Sequence, residues 1–473
     1  MTCRFRLRSA LVAVTSSALY FANLTAAKAV YAHYMVGTTT DAHAQTDIET
    51  AAAAGLDGFV LNIGDPRQSY VTSTLSALFA HAPATPSFHL LFSLDLSAAL
   101  GAGASLSDYD ALLAQYKDHA SYARGGANDA PFVSTFADGG LTNETWDEWR
   151  GRVFDNAVYF VPDFDRTQGY YDAASGWWDY WGGVVDGLFS WEAAWPERAG
   201  YGGAYPGDVG PDAPVAAGAE ARGKDYMVGL SALQYKDARQ KYSTNLYRAG
   251  ELNLPERMKN VLEMTPKPEY AEFITWNDGP ESHYIGPLWP EQNTDADPAR
   301  YATQTLAPHT GWLPLIGSFA DAFRANASSA SAMRPSPSSD AATGALWYKA
   351  ILQSASCPNE GNGGVYAKPD GWDTGEDVLN WAVVVGEGSD GWKARLVSGG
   401  EEIGSVDLVE GMNYGKVEGL KAGAQRLEVV DGDGKVVRVA AGGRCVSDGC
   451  PDGIYNMNPQ VVGLADDGND GDC

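Results

Sequence analysis

Eight apolar runs alternate with helix-like stretches through residues 30–330, and this alternation constrains the fold more than any other feature of the chain. The runs are 31–36, 58–63, 89–94, 132–136, 157–162, 185–190, 226–231 and 271–276. Stretches such as 47–54, 70–80, 107–120 and 255–264 read as helices between them. Most of the runs are continuous, the pattern of strands covered on both faces. An open doubly wound sheet would share that pattern. The count of eight, the length of the region and the absence of a Gly-rich phosphate turn favour a (β/α)8 TIM barrel, an α/β fold.

A barrel of this kind gathers its functional groups at the C-terminal ends of its strands. Polar residues do fall there. His33 lies near the first strand, Asn62 and Asp65 follow the second, and Asp95 the third. Thr135, Asp163, Trp191 with Glu192, and Ser231 follow the next four. Asp278 and Glu281 follow the eighth. One Asp after a strand is ordinarily an N-cap or a turn residue. Polar groups at nearly every strand end would converge on one cavity.

The segment 273–284 carries the sharpest chemistry. Its apolar run ends in Trp276-Asn277-Asp278, a Gly279-Pro280 turn follows, and Glu281, His283 and Tyr284 come next. Two carboxyls at a strand mouth can cleave a glycosidic bond, one protonating the leaving oxygen while the other activates water or attacks the anomeric carbon. Ten of the fourteen tryptophans fall between Trp146 and Trp312, dense enough to offer sugar-stacking platforms as well as core. Trp191, Trp195 and Trp276 flank strand ends and are the platform candidates. Helical spacing predicts that Trp177, Trp178 and Trp181 divide between core and surface. Asn62, Asn277, His283 and Tyr284 are candidate hydroxyl-binding or orienting groups, with a supporting hydrogen-bonding role as the alternative for His283. No His-Glu-x-x-His and no Gly-x-Ser-x-Gly occurs, so neither a zincin nor a serine hydrolase is expected, and no metal or cofactor.

The N-terminus reads as a secretory signal: Arg4, Arg6 and Arg8, an apolar stretch to about residue 24, and Ala27-Lys28-Ala29 at the cleavage site. Removing residues 1–29 takes away four of the 33 basic residues and leaves 29 against 60 acidic ones, a net charge of -31. Such a surface repels phosphate backbones, so nucleic acid is excluded as a partner. No membrane anchor and a monomeric extracellular protein are expected. Asn143 and Asn326 open N-glycosylation sequons.

Residues 331–344 read as an exposed Ser/Ala/Pro-rich linker, and 345–473 as an all-β, sandwich-like domain of short runs between Gly and Asp turns. Asp431-Gly432-Asp433-Gly434 reads as a hairpin turn; Lys435 at a ligand position argues against calcium. Cys357, Cys445, Cys450 and Cys473 imply two disulfides, with three pairings open.

Four segments together resemble glycoside hydrolase family 71, the fungal α-1,3-glucanases or mutanases. They are Ala32-His33-Tyr34-Met35-Val36-Gly37, Gly58 to Gly64, Val185 to Pro196, and Trp276-Asn277-Asp278 to Gly286. The resemblance implies an inverting endo-hydrolase of α-1,3-glucan with catalytic Asp278 and Glu281, and a further carboxylate at Asp95. On that basis Glu281, raised by burial, is expected to be the general acid, Asp278 the base, and Asp95 a hydroxyl-binding or charge-tuning group, the acid and base labels being interchangeable at this stage. The remaining substrate-binding candidates are His33, Asn62, Asp163, Trp191, Glu192 and Trp195. The chain departs from the family at Gly279-Pro280, where an aromatic and Gly are usual, and at Ser231 to Tyr235. A glucan-binding protein without turnover is the competing reading.

Overall fold

The computed structural model describes residues 28–172, 174–197, 202–204, 206–238, 244–358 and 368–466. The expected leader, apart from its last two residues, and Cys473 lie outside them. The fold is mixed α/β, with one curled, mostly parallel sheet and separate antiparallel sheets. Eight parallel strands form the large sheet: β1 (Ala29–Met35), β2 (Gly58–Ile63), β3 (His89–Asp95), β4 (Ala130–Phe136), β5 (Tyr159–Phe160), β6 (Gly187–Ser190), β7 (Asp225–Leu230) and β8 (Tyr270–Phe273). Their order is β5-β4-β3-β2-β1-β8-β7-β6, so each pairs with its sequence neighbour and β1 pairs with β8. A single parallel bridge joins Asp163 to Phe189, beyond the ends of the β5 ladder. All eight runs read from the sequence correspond to these strands.

Alternation along the strands divides their side chains between two cores. Tyr31, Val60, Leu91, Phe132, Tyr159, Phe189, Met227 and Tyr270, one from each strand, pack into a single inner cluster. Their neighbours Ala32, Phe59, Leu90, Val133, Phe160, Leu188, Val228 and Ala271 pack outward into the larger core beneath the helices. Burial on both faces is why the runs are continuous rather than alternating. Local chemistry starts the helices. Thr40 caps Asp41–Ala53 through the His43 amide, and Thr142 caps Asn143–Phe154 through the Thr145 amide.

The C-terminal region is two four-stranded antiparallel sheets facing each other across a common core that includes Leu346, Trp381, Leu396 and Leu427. The 431–434 turn closes a hairpin between Gln425–Val430 and Val436–Ala440, with Asp431 Oδ1 accepting from the Asp433 and Lys435 amides. Cys357 bonds Cys450, and Cys445 is disulfide-bonded as well. The expected exposed linker is corrected in two respects. Met333 is fully buried, and Ala342 already opens the first strand, Ala342–Lys349. Apolar residues scattered among serines were hidden by the polar average.

Candidate active site

The inward-facing positions that open the site are set by the same alternation. One step of two beyond the inner cluster, at the C-terminal strand ends, come His33, Asn62 and Trp191, and two steps beyond it Asp95 and Asp163. Asp95 is an N-cap as well as one of these strand-end groups. It accepts from the Ala98 amide at 2.8 Å to start Leu96–Gly101, and the nearby Asn62 side chain favours the charged form of the same carboxyl. Burial raises it above the ordinary aspartate range, against the His33 charge and these contacts. His33 is fully buried, with Nδ1 at 2.5 Å from Glu272 Oε1 and its ring edge-on to Trp191 at 4.8 Å. Glu272, also fully buried, is raised by burial, with His33 opposing the rise.

The loop after β8 brings Asp278 and Glu281 together. Thr275 Oγ1 accepts from the Asp278 amide at 2.9 Å, and Asp278 Oδ1 accepts from the Glu281 amide at 3.0 Å. The Gly279-Pro280 turn is well supported: Ser282 N donates to the Gly279 carbonyl at 3.1 Å and Tyr301 to the Pro280 carbonyl at 2.7 Å. Glu281 then meets a hairpin inserted after β7, strands Gln234–Ala238 and Thr244–Arg248. Gln234 Nε2 donates to Glu281 Oε2 at 2.5 Å, Lys236 Nζ to Oε1 at 2.9 Å, and His283 Nε2 lies 3.4 Å from Oε2.

These contacts separate the two carboxyls electrostatically. Burial raises Asp278, the Glu281 charge adds to the rise, and His283 with Lys236 oppose it without cancelling it. Burial alone would raise Glu281 too. The nearby His283 and the Lys236 charge outweigh it and hold that carboxyl well below the ordinary glutamate range. The expectation of a raised Glu281 is therefore corrected; the raised member is Asp278. Two carboxyls pushed apart in this way are suited to opposite proton-transfer roles.

Several candidates lie elsewhere. Trp276 is fully buried on the outer side of β8, 5.1 Å from Phe59, and beneath Gly286, where a Cβ would meet the indole at 2.3 Å. Trp195 is buried too, its Nε1 donating to the Leu233 carbonyl at 3.0 Å. Neither is a sugar platform; each fills a gap between strand and loop. Tyr284 stacks on His309 at 4.0 Å and accepts from Asn458 of the C-terminal region at 3.1 Å. Asn277 spends both side-chain ends on Met35, accepting from its amide at 2.8 Å and donating to its carbonyl at 3.1 Å. It ties the β8 loop to β1. His283 orients Glu281 from below, with Nδ1 3.3 Å from Thr275 Oγ1. Asp163 is buried beside Asp165, and Glu192 is gripped by Arg166 at 2.5 Å and Arg248 at 2.9 Å. Trp177, Trp178 and Trp181 are all buried rather than divided.

Lys236, Gln234 and Glu272 were missed. A Glu inside an apolar strand, in register with β1, is a readable signal for Glu272. The hairpin residues gave none, because only the fold brings them to Glu281.

The profile of glycosyl hydrolase family 71 matches residues 26–472. This chain belongs to that family, and it is a glycoside hydrolase. A mutanase of Penicillium rubens, Pc12g07500, is 27% identical over 453 residues, covering 92% of this chain and 88% of that protein. The ascus wall endo-1,3-alpha-glucanase of Schizosaccharomyces pombe is 29% identical over 282 residues, 55% of this chain and 58% of that protein. The glucan endo-1,3-alpha-glucosidase agn1 of the same yeast is 29% identical over 318 residues, 64% of this chain and 68% of that protein. Among solved structures, a GH99 endo-alpha-mannosidase from Bacteroides thetaiotaomicron is 13% identical with a TM-score of 0.45, covering 63% of this chain and 98% of that one. A likeness at that level carries no argument about the site.

Proposed function

We propose that this glycoside hydrolase cleaves α-1,3-glucan internally, by single displacement with inversion. Asp278 holds the proton and delivers it to the glycosidic oxygen. Glu281, ionised, deprotonates the attacking water. Asp95 and Asn62 bind the reacting sugar, with His33 and Trp191 packed beside them. The observation that carries the acid/base assignment is the opposite displacement of the two neighbouring carboxyls by burial and by Lys236 with His283. The relatives' names support the substrate and the internal attack. The Asp163–Phe189 bridge supports closure of the large sheet into the expected (β/α)8 barrel, with residues 345–473 as its partner domain.

We further propose that the protein acts outside the cell as a monomer, after loss of residues 1–29, with glycans at Asn143 and Asn326. The name of the ascus wall relative supports extracellular action on a wall. No helix among the described residues is long and apolar enough to cross a membrane.

The test is hydrolysis of insoluble α-1,3-glucan, with the anomer of each new reducing end followed by NMR. Prompt β-anomer is the expected result. An α-anomer overturns single displacement, and polymer binding without release overturns hydrolysis.

A further inference from the structure

The hairpin that reaches Glu281 is held from behind by the C-terminal region. Its strands pair with Gln234 opposite Arg248 and Lys236 opposite Leu246. Alternation sends Gln234 and Lys236 to Glu281 and turns Tyr235 the other way. The Tyr235 hydroxyl donates to the Tyr455 carbonyl at 3.1 Å. On the second strand, Leu246 bridges Asp370, the Tyr247 amide donates to the Asp370 carbonyl at 2.8 Å, and the Asp370 amide to the Asn245 carbonyl at 3.2 Å.

Just after the hairpin stands Glu251, whose side chain is only 4% exposed. Its Oε1 accepts from Tyr247 at 3.2 Å, from the Glu376 amide at 2.9 Å and from Lys349 Nζ at 3.4 Å. Its Oε2 accepts from the Gly250 amide at 3.1 Å, and its carbonyl accepts from Trp347 Nε1 at 2.8 Å. Lys349 donates again to the Glu376 carbonyl at 2.6 Å. A buried ion pair is poor evidence of net stability, because desolvation offsets the attraction. With most of its polar atoms bonded in fixed directions, this pair instead sets a position.

We infer that Lys349 and Glu251 are positioning residues: through them the C-terminal region holds the hairpin at the depth where Gln234 and Lys236 meet Glu281. The inference rests on the reading of Asp278 and Glu281 as the acid/base pair. The titratable groups facing Glu281 are Asp278, His283, Lys236 and Tyr301. Lys349 is bonded to Glu251 and Glu376, so its influence on Glu281 passes through the hairpin.

The experiment uses the full chain and the variants Lys349→Met, Lys349→Arg, Glu251→Gln, Lys236→Met and Lys236→Met/Lys349→Met. One readout is the Glu281 carboxyl titration by carbon-13 NMR, assigned by the signal lost in Glu281→Gln. The other is the pH–rate profile on soluble α-1,3-linked gluco-oligosaccharides. Lys349→Met is expected to move the Glu281 titration upward by about half a pH unit or more as Lys236 withdraws. Its kcat is expected to fall about tenfold while KM changes less than about threefold. Lys349→Arg restores the titration, and in the Lys236→Met background Lys349→Met adds only the smaller shift carried by Gln234. A folded Lys349→Met that titrates like wild type overturns the inference; if that variant does not fold, the same outcome in Glu251→Gln does so. The NMR readout needs no turnover. A shifted titration in a protein that never hydrolyses the substrate would keep the positioning role and sink the acid/base reading.

Discussion

Asp163 and Asp165 follow β5, and Asp278 and Glu281 follow β8. Each pair sets two carboxyls two or three residues apart at a strand end. In the first pair, burial raises both members, and the charge of each neighbouring carboxylate adds to the rise for Asp163. The cations nearby, Arg166 and Arg248, are bonded to Glu192, and the Arg166 charge opposes the rise of Asp165 without cancelling it. Asp165 accepts from the Glu192 amide at 2.8 Å and Tyr171 at 2.9 Å, which fixes the loop. In the second pair, a lysine and a histidine reach one member and leave the other raised. Similar residues at similar strand ends are thus both raised in one place and displaced in opposite directions in the other. The deciding factor is where the cations land.

Removing either member of the second pair should have the largest effect. Asp278→Asn and Glu281→Gln should each lower reducing-end release by about 10²–10⁴-fold, the usual worth of a general acid or base. Activity within tenfold of wild type in either variant would break the comparison.

Lys236→Met sharpens it. Glu281 must be ionised to act as base, and losing the lysine raises its titration. Activity on the acid side should then fail about one pH unit or more higher than in wild type. An unchanged acid limb would assign the Glu281 ionisation to His283 alone.

Glu272→Gln addresses the buried partner of His33. It replaces a charge-assisted contact with a neutral one and should cost about 1–3 kcal/mol by thermal or denaturant unfolding, with activity lowered through a displaced His33.

Asp163→Asn should have the smallest effect on turnover, less than about threefold, because burial and the neighbouring carboxylates already disfavour its charged form. Its signature is in stability. A folded pKa raised above the unfolded value gives stability that is complete below the unfolded pKa and is lost as pH rises through the folded one. Wild type should therefore lose more Tm than Asp163→Asn as pH rises from about 4 to 7. Parallel curves would show that Asp163 ionises freely.

Much of the fold was legible because burial on both faces writes long apolar runs, whereas the helix starts capped by Thr40 and Thr142 were not read from the sequence. Asp95 was legible as a strand-end carboxyl, and the structure shows it capping the helix that follows. Trp276 and Tyr284 misled, because an aromatic beside a catalytic motif reads the same whether it faces a sugar or a core. Asn277 misled similarly, its amide being spent on Met35 rather than on a hydroxyl.

The sequence alone determined the eight strands, the carboxyls after β8 and the family, all of which rest on local pattern and spacing. Only the tertiary structure decided which of those carboxyls is raised and which is held low. Asp278 and Glu281 are close in sequence, but Gln234 and Lys236 approach from a hairpin more than forty residues away, itself fastened to Glu251 and Lys349. Ionisation depends on the field from groups within a few ångströms, and sequence distance does not report that field.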